Sequence, residues 1–215
     1  MNLLTNGGLD DGREHPSNWE WVVLSGRPMW RFDYDVKTTG VRSIQILQDV
    51  GTVHGEFRQR VACVGGRRYR LRGRIKTGNE GTGEETGANL CVKSMAGERL
   101  LHAMLVRPFL LGHADWYLWS ADYRAPEEAD TLVVSFDMRN SDGVAWFDDI
   151  ELIEAEASVC SSVLPGGSVG RESTVTCPQR DSVCVTGGAQ GDSTAGIVRE
   201  LFGDVRRASN ASDAM

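Results

Sequence analysis

Side-chain alternation with a period of two recurs along the first 154 residues, and it constrains the fold more than any other feature. Successive residues of a strand point to opposite faces, so an apolar series at every second position marks a half-buried strand. Trp30, Phe32, Tyr34 and Val36 share one parity, and Arg31, Asp33, Asp35 and Lys37 the other. Ser43 to Gln48 alternates around Ile44 and Ile46. Phe57, Gln59 and Val61 alternate with Glu56, Arg58 and Arg60. Tyr69, Leu71, Gly73 and Ile75 alternate with Arg70, Arg72, Arg74 and Lys76. Further series follow at Ala88–Val92, Tyr117–Tyr123, Leu132–Met138 and Val144–Leu152. Glycine and Asn/Asp turn signals such as Val64-Gly65-Gly66 and Asn140-Ser141-Asp142-Gly143 separate most of them. Many short strands, each with one apolar face and no long amphipathic helix between them, predict two antiparallel sheets packed face to face. The expected class is all-β, an antiparallel β-sandwich of jelly-roll type.

The texture changes near Ala155. All six tryptophans lie in 1–154, whereas 155–215 has no tryptophan or tyrosine and one phenylalanine, Phe202. Two regions are therefore expected: a sandwich over 1–154, and over 155–215 a linker and small irregular tail. In the tail Val163–Ser168 reads as linker, Thr174–Cys177 and Val183–Thr186 as short strands, and Ala195–Arg207 as one short helix. With so few large apolar side chains its core would be marginal, and the tail reads either as the cut-off start of another domain or as disordered.

Composition excludes several classes. With 40% hydrophobic and 25% charged residues, the chain has material for a core. A net charge of -7 argues against a general nucleic-acid binder. No apolar run approaches the roughly 20 residues of a membrane helix. The first six residues show neither a basic nor an apolar signal-peptide region. The five cysteines cannot all pair within one chain. Cys63 and Cys91 read as buried thiols, and Cys177 with Cys184 as a conditional disulfide. None of the spacings is C-x-x-C, so structural zinc is poorly supported.

Taken in order, several segments resemble a known family. They are Asn2–Gly12 followed by Pro16-Ser17-Asn18-Trp19, then Gly40-Val41-Arg42-Ser43-Ile44, Gln59-Arg60-Val61 and Arg68–Leu71. Asp115-Trp116, Tyr123–Pro126 and Gly143–Leu152 complete the series. Together they resemble carbohydrate-binding modules of families 4, 9 and 22, which are galactose-binding-like jelly rolls. Leu9-Asp10 departs from the Phe-Glu usual there. The resemblance implies a non-catalytic module that binds a glycan or polysaccharide, commonly appended to an extracellular glycan-active protein. It also implies a structural calcium between the N-terminal turn and the last strand. The localisation it favours is extracellular, although no signal peptide is visible. The expected partner is a glycan, with no nucleic acid or membrane, and the chain is expected to be a monomer.

Candidate site residues follow from chemistry. Asp148 has the parity of Val144, Trp146, Ile150 and Leu152, and a carboxylate facing a core must be paired or bound to a cation. Calcium, which takes hard oxygens, would be held by Asp148 and Asp10. The competing reading has Asp148 bonded to the backbone of the N-terminal turn without metal. Sugar binding needs flat apolar rings, each adding about 0.5–1.5 kcal/mol beyond buried area. Trp21, Trp30 and Tyr34, in the stretch before Gly40, are the candidate platforms, with core packing as the alternative. Trp19, Trp116 and Trp146 are expected in the core. From Glu56 to Lys76 the chain carries eight basic residues against one acidic. If the strands share a sheet, Arg70, Arg72 and Arg74 join Arg58 and Arg60 in a guanidinium grid suited to an acidic glycan. The alternative is neutralisation by cross-strand carboxylates. Gln59 or Asn89 would supply hydroxyl contacts.

No catalytic constellation is legible. Gly166-Gly167-Ser168-Val169-Gly170 spells a nucleophile elbow, but Pro165 precedes it and no histidine follows. Two readings remain: a glycan-binding sandwich, and a structural or protein-docking sandwich without a glycan site.

Overall fold

The computed structural model describes residues 1–48, 54–83 and 85–155, together with Val185–Thr186. The readings of Thr174–Cys177, the Ala195–Arg207 helix and the Cys177–Cys184 disulfide lie outside these residues. The described part is all-β. Its strands are β1 (Glu20–Ser25), β2 (Met29–Asp33), β3 (Ser43–Gln48), β4 (His54–Ala62), β5 (Arg68–Glu80) and β6 (Gly87–Ala96). They continue with β7 (Arg99–Leu105), β8 (Gly112–Arg124), β9 (Thr131–Arg139), β10 (Asp142–Ala155) and β11 (Val185–Thr186).

Two antiparallel sheets form. The first has the order β1-β4-β9-β6-β7, with the two-residue β11 on the β7 edge. The second has the order β2-β3-β10-β5-β8. Their inner faces hold the core. Phe57 of β4, Phe136 of β9 and Phe147 of β10 are fully buried and stack in series, with ring centroids 5.3 and 4.8 Å apart. Ile44, Ile46, Leu71, Ile75, Leu90, Leu132, Ile150 and Leu152 fill the rest. The alternation of β5, with Tyr69, Leu71, Gly73 and Ile75 inward, follows the sequence pattern.

The N-terminal segment ties the sandwich shut. Asn2 Oδ1 accepts from Leu152 N–H at 2.9 Å, and its Nδ2 donates to the Ile150 carbonyl at 3.1 Å. Trp19 donates from Nε1 to the Asn6 carbonyl and packs on Phe136, as its core assignment requires.

Trp146 does not follow its core assignment. Ala145 and Phe147 face inward, while Trp146 faces outward and donates to Asp33 Oδ2 at 2.8 Å. The parity reading fails because β10 carries a bulge: its register against β5 shifts between Asp148 and Glu151, and Asp149 has φ of 51°. The bulge also puts Asp148 out of phase with Ile150 and Leu152.

Candidate functional site

The predicted arginine grid is divided by topology. β4 belongs to the first sheet and β5 to the second, so Arg58 and Arg60 lie on one outer face and Arg70, Arg72 and Arg74 on the other. Each of these three β5 guanidinium groups has a cross-strand carboxylate. Arg70 pairs with Asp122 at 2.6 Å, Arg72 with Glu151 at 2.5 Å and Arg74 with Asp149 at 3.6 Å. Lys76 extends the ladder to Asp115 at 2.8 Å. The row from Arg70 to Lys76 is thus neutralised pair by pair.

The aromatic candidates do not converge on a platform. Trp21 and Trp30 are half-buried and pack against Phe57, with centroids 4.9 and 5.0 Å away. Phe32 closes the group edge-on to Trp30. These rings seal one margin of the sandwich. Tyr34 lies beyond β2 and is 58% exposed, and its hydroxyl accepts from Arg42 Nη1 at 3.4 Å. Gln59 faces inward and is spent on the N-terminal segment: Oε1 accepts from Thr5 N–H, and Nε2 donates to the Thr5 carbonyl.

Asp10 and Asp148 hold one segment from two sides. Asp148 Oδ2 accepts from Thr38 N–H and Oγ1–H, both at 2.8 Å, and from Thr39 N–H at 3.3 Å. Asp10 Oδ1 accepts from Val41 N–H at 2.7 Å and Arg42 N–H at 3.2 Å. Gly40 sits between them with φ of 62°, and a Cβ there would lie 1.9 Å from Asp10 Oδ2. Asp148 is fully buried, and among the described residues it has no ion pair. Burial raises its pKa, the like charge of Asp149 adds to this, and the Thr38 donors only partly offset it. Asp148 is thus a buried carboxylate without a counter-charge, next to one further acid, Asp149, and hard oxygens of this kind are what calcium takes.

The outer face of the first sheet has a different character. His54 and Glu56 of β4, Ser135, Asp137 and Arg139 of β9, and Asn89 and Lys93 of β6 stand side by side there. Glu56 and Asp137 face each other in register, and Asn89 opposes Asp137 from the other side. Polar side chains at the centre of a sheet normally face water. Here Glu56, Asn89, Lys93, Ser135, Asp137 and Arg139 are all at most 5% exposed.

The charges within this array are matched. Lys93 Nζ lies 3.2 Å from both Glu56 oxygens. Arg139 donates from Nη2 and Nε to Asp137 Oδ2 at 2.6 and 3.1 Å, and His54 Nε2 lies 3.3 Å from the same oxygen. Burial alone would raise the Asp137 pKa, but the charge of Arg139 and the bond and charge of His54 outweigh it, holding the carboxyl well below its ordinary range. Cys91 beside them is an inert thiol, pushed up to about 11 by burial.

The hydrogen-bonding groups are not all matched. Asn89 Nδ2 and Oδ1, Ser135 Oγ and Asp137 Oδ1 are buried without partners. At one end of the array Phe109 lies under the Arg139 guanidinium, 5.5 Å from its centroid. Phe109 is also a wall of an open pocket of about 480 Å³, completed by Gly83, Thr86, Arg107, Pro108 and Leu111.

No family model matches the chain, and no curated protein is similar to it. Solved structures share its fold. The enzymatically active domain of a Bacteriophage CBA120 tailspike protein superposes with a TM-score of 0.56 at 15% identity, over 72% of this chain and 21% of that one. The CBM22-1 xylan-binding domain from Paenibacillus barcinonensis Xyn10C superposes with a TM-score of 0.50 at 11% identity, over 70% of this chain and 93% of that one. This chain has the antiparallel β-sandwich fold of these domains. The arabinose-bound MgGH51 α-L-arabinofuranosidase contains it too, at a TM-score of 0.50 and 13% identity. This chain spans 26% of that enzyme and 21% of the tailspike chain, whereas it spans almost the whole xylan-binding domain.

The sequence pointed to this sheet only through Asn89 and the Glu56–Arg60 alternation. It could not show that β6 and β9 are neighbours. The polar parity of Asn89, Lys93, Ser135, Asp137 and Arg139 within strongly apolar strands was the available signal.

Proposed function

We propose that this chain binds a glycan on the outer face of the β1-β4-β9-β6-β7 sheet and does not cleave it. The observation that carries the reading is the dense polar array at the centre of that sheet face, where four buried hydrogen-bonding atoms lack a partner, in a fold shared with a xylan-binding domain. A glycan offers many hydroxyls, each both donor and acceptor, which suit such atoms.

Catalysis does not suit the same residues. Ligand atoms of Glu56 and Asp137 lie within 4.8 Å of one another, close to the ~5–5.5 Å of retaining glycosidases. That chemistry needs one carboxyl protonated near neutrality. Asp137 is driven the other way by Arg139 and His54, and Lys93 occupies both oxygens of Glu56. His54, Glu56 and Asp137 also form a potential metal triad, but Lys93 and Arg139 already supply the positive charge.

A structural calcium belongs to this proposal. Asp148 and Asp10 would hold it, and it would give Asp148 the counter-charge it lacks. Thermal unfolding with calcium and with chelator tests this: calcium should raise Tm, and Asp148→Asn should remove the response. An unchanged Tm assigns Asp148 to clamping Thr38 and Thr39 alone.

Affinity electrophoresis against neutral and acidic polysaccharides, run with calcium and with chelator, tests the main reading. Retardation by at least one polysaccharide is expected, without release of reducing ends. A chain retarded by none would leave the second reading, a structural or docking sandwich, which the salt-bridged face of the other sheet favours.

A further inference from the structure

β8 is the longest edge strand of the sandwich and the least protected. It closes the second sheet with 13 residues, against 5 for β2 at the other edge of that sheet, 6 for β1 and 7 for β7. Among the described residues nothing pairs with its outer side. An open row of amides and carbonyls recruits another strand, so proteins blunt such edges with short strands, prolines, lysines or bulges. β8 has a bulge where Asp115 and Trp116 together oppose Lys76. Beyond it the strand runs to Arg124 in regular register, without proline or lysine.

The centre of this edge is apolar, with the run Trp116-Tyr117-Leu118-Trp119. Tyr117 and Leu118 are 53% and 49% exposed, and Trp116, expected in the core, is only half-buried. The ladder fixes which backbone groups are open. Ala125 donates to the Arg67 carbonyl and accepts from Gly66 N–H, both at 3.0 Å, so it faces β5. Peptide groups alternate along an antiparallel strand. Tyr123, Ala121 and Trp119 therefore face β5 too, while the N–H and C=O of Leu118, Ser120 and Asp122 face outward.

We infer that β8 pairs antiparallel with β8 of a second copy of this chain, about a two-fold axis that passes within Leu118–Ser120, normal to the sheet. Symmetry favours this occupant. An isologous interface needs a patch that complements itself. Leu118 is the middle residue of Gly112–Arg124, so an axis there lays the apolar run against its own copy. Charge favours it as well. Asp115 is matched by Lys76, Asp122 by Arg70 and Arg124 by Glu127, all within one copy. With the axis at Leu118, Asp115 opposes Ala121 and Asp122 opposes Ala114, so no like charges meet across the pair. The net charge of -7 opposes association only at long range, where salt screens it. Pairing a strand with itself also consumes the edge, so assembly stops at two copies.

This dimer does not depend on the glycan reading, but its consequence rests on it. A two-fold axis normal to the sheet keeps equivalent faces on the same side. The joined second sheets form one layer of ten strands, five from each copy, and both first sheets lie on the same side of it. The two proposed glycan faces then point the same way, about 24 Å apart, or five strand spacings of ~4.8 Å. One polysaccharide can engage both, and its second contact is intramolecular.

Sedimentation velocity of the full chain from about 1 to 100 μM tests the pairing. The mass should rise with concentration from 23.6 kDa toward twice that value, and added salt should not weaken the dimer. Leu118→Glu sets one carboxylate near its copy across the axis. Ser120→Pro removes an outward donor and leaves the β5 ladder intact. Both variants should stay monomeric at every concentration. Leu118→Glu should keep its Tm within about 2 °C of wild type, because the side chain it replaces is half exposed. The amides of Leu118 and Ser120 should exchange slowly in the dimer and fast in Leu118→Glu.

A wild type that is monomeric throughout, with both amides exchanging fast, would overturn the interface. A monomer with those amides protected would give the edge to another segment of this chain and overturn the second copy. A dimer that survives both variants would overturn β8 as its seat. On an immobilised polysaccharide, wild type should be retained about tenfold or more over Leu118→Glu. Equal retention would overturn the shared presentation and leave the pairing standing. Retention of neither would overturn the glycan reading, with the dimer still decided by sedimentation.

Discussion

Lys93 and Glu56 show how tightly single residues are committed in this protein. Their side chains are 6% and 1% exposed, and the ammonium reaches both carboxylate oxygens. Breaking such a pair strands a buried charge, at a cost of about 3–5 kcal/mol. Lys93→Met should lose that much in urea unfolding, and Lys93→Met with Glu56→Leu should recover a large part of it. Asp137 sets a pH dependence. Its folded pKa lies below the unfolded value of ~3.9, so its contribution is complete above about pH 5. That contribution drains away as pH falls toward the folded value. Asp148 has the opposite sign. Its raised folded pKa means its contribution is present below the unfolded value and is lost as pH rises through the folded one. Acid unfolding followed by tryptophan fluorescence, compared between wild type and Asp148→Asn, separates the two: the variant should keep the acid-side loss due to Asp137.

At the scale of elements, β5 presents more guanidinium than any other strand, yet each arginine of its central row meets a carboxylate across the sheet. Such half-exposed pairs contribute less than about 1 kcal/mol and weaken in salt. Arg72→Ala should therefore change stability by less than that and leave oligosaccharide affinity untouched in titration. Loss of affinity would return this face to the candidate sites. The ring cluster at the β1–β2 margin is expected to behave differently. Trp30→Ala should cost about 2–3 kcal/mol, somewhat below the ~3–5 of a fully buried ring, because Trp30 is half-buried. Its affinity for glycan should remain. β1 and β7 carry no clean alternation and escaped the sequence reading. Both sit at the edges of their sheet, where one side of the strand has no partner of comparable length and apolar patterning relaxes.

For the molecule as a whole, stability rests on the stack that joins the sheets. Phe57 and Phe136 come from the first sheet and Phe147 from the second, all 0% exposed. Phe136→Ala should cost about 3–5 kcal/mol in denaturant unfolding. A cost below 1 kcal/mol would contradict the packing. The N-terminal segment reaches β10 through Asn2, joining residues 148 and 150 positions apart. Pairings this distant in sequence place the protein among slow folders, on the millisecond-to-second scale.

The period-two pattern by itself determined the class, because a strand with one buried face must alternate whatever its neighbours are. It also determined the inward rows of β5 and β9; Asp148 is buried as well, but at the bulge and against Thr38 and Thr39 rather than in the apolar row its parity indicated. Only the tertiary structure decided which strands adjoin. That placed β4 and β5 in different sheets and dissolved the arginine grid. It turned Trp146 outward through a bulge that parity counting cannot register, and it spent Trp21 and Trp30 on the core margin. It also assembled Asn89, Ser135 and Asp137 from β6 and β9. Alternation is local, carried by each residue and its immediate neighbours. Strand order and register arise from contacts between residues far apart in the chain, and a site built across strands exists only once those contacts have formed.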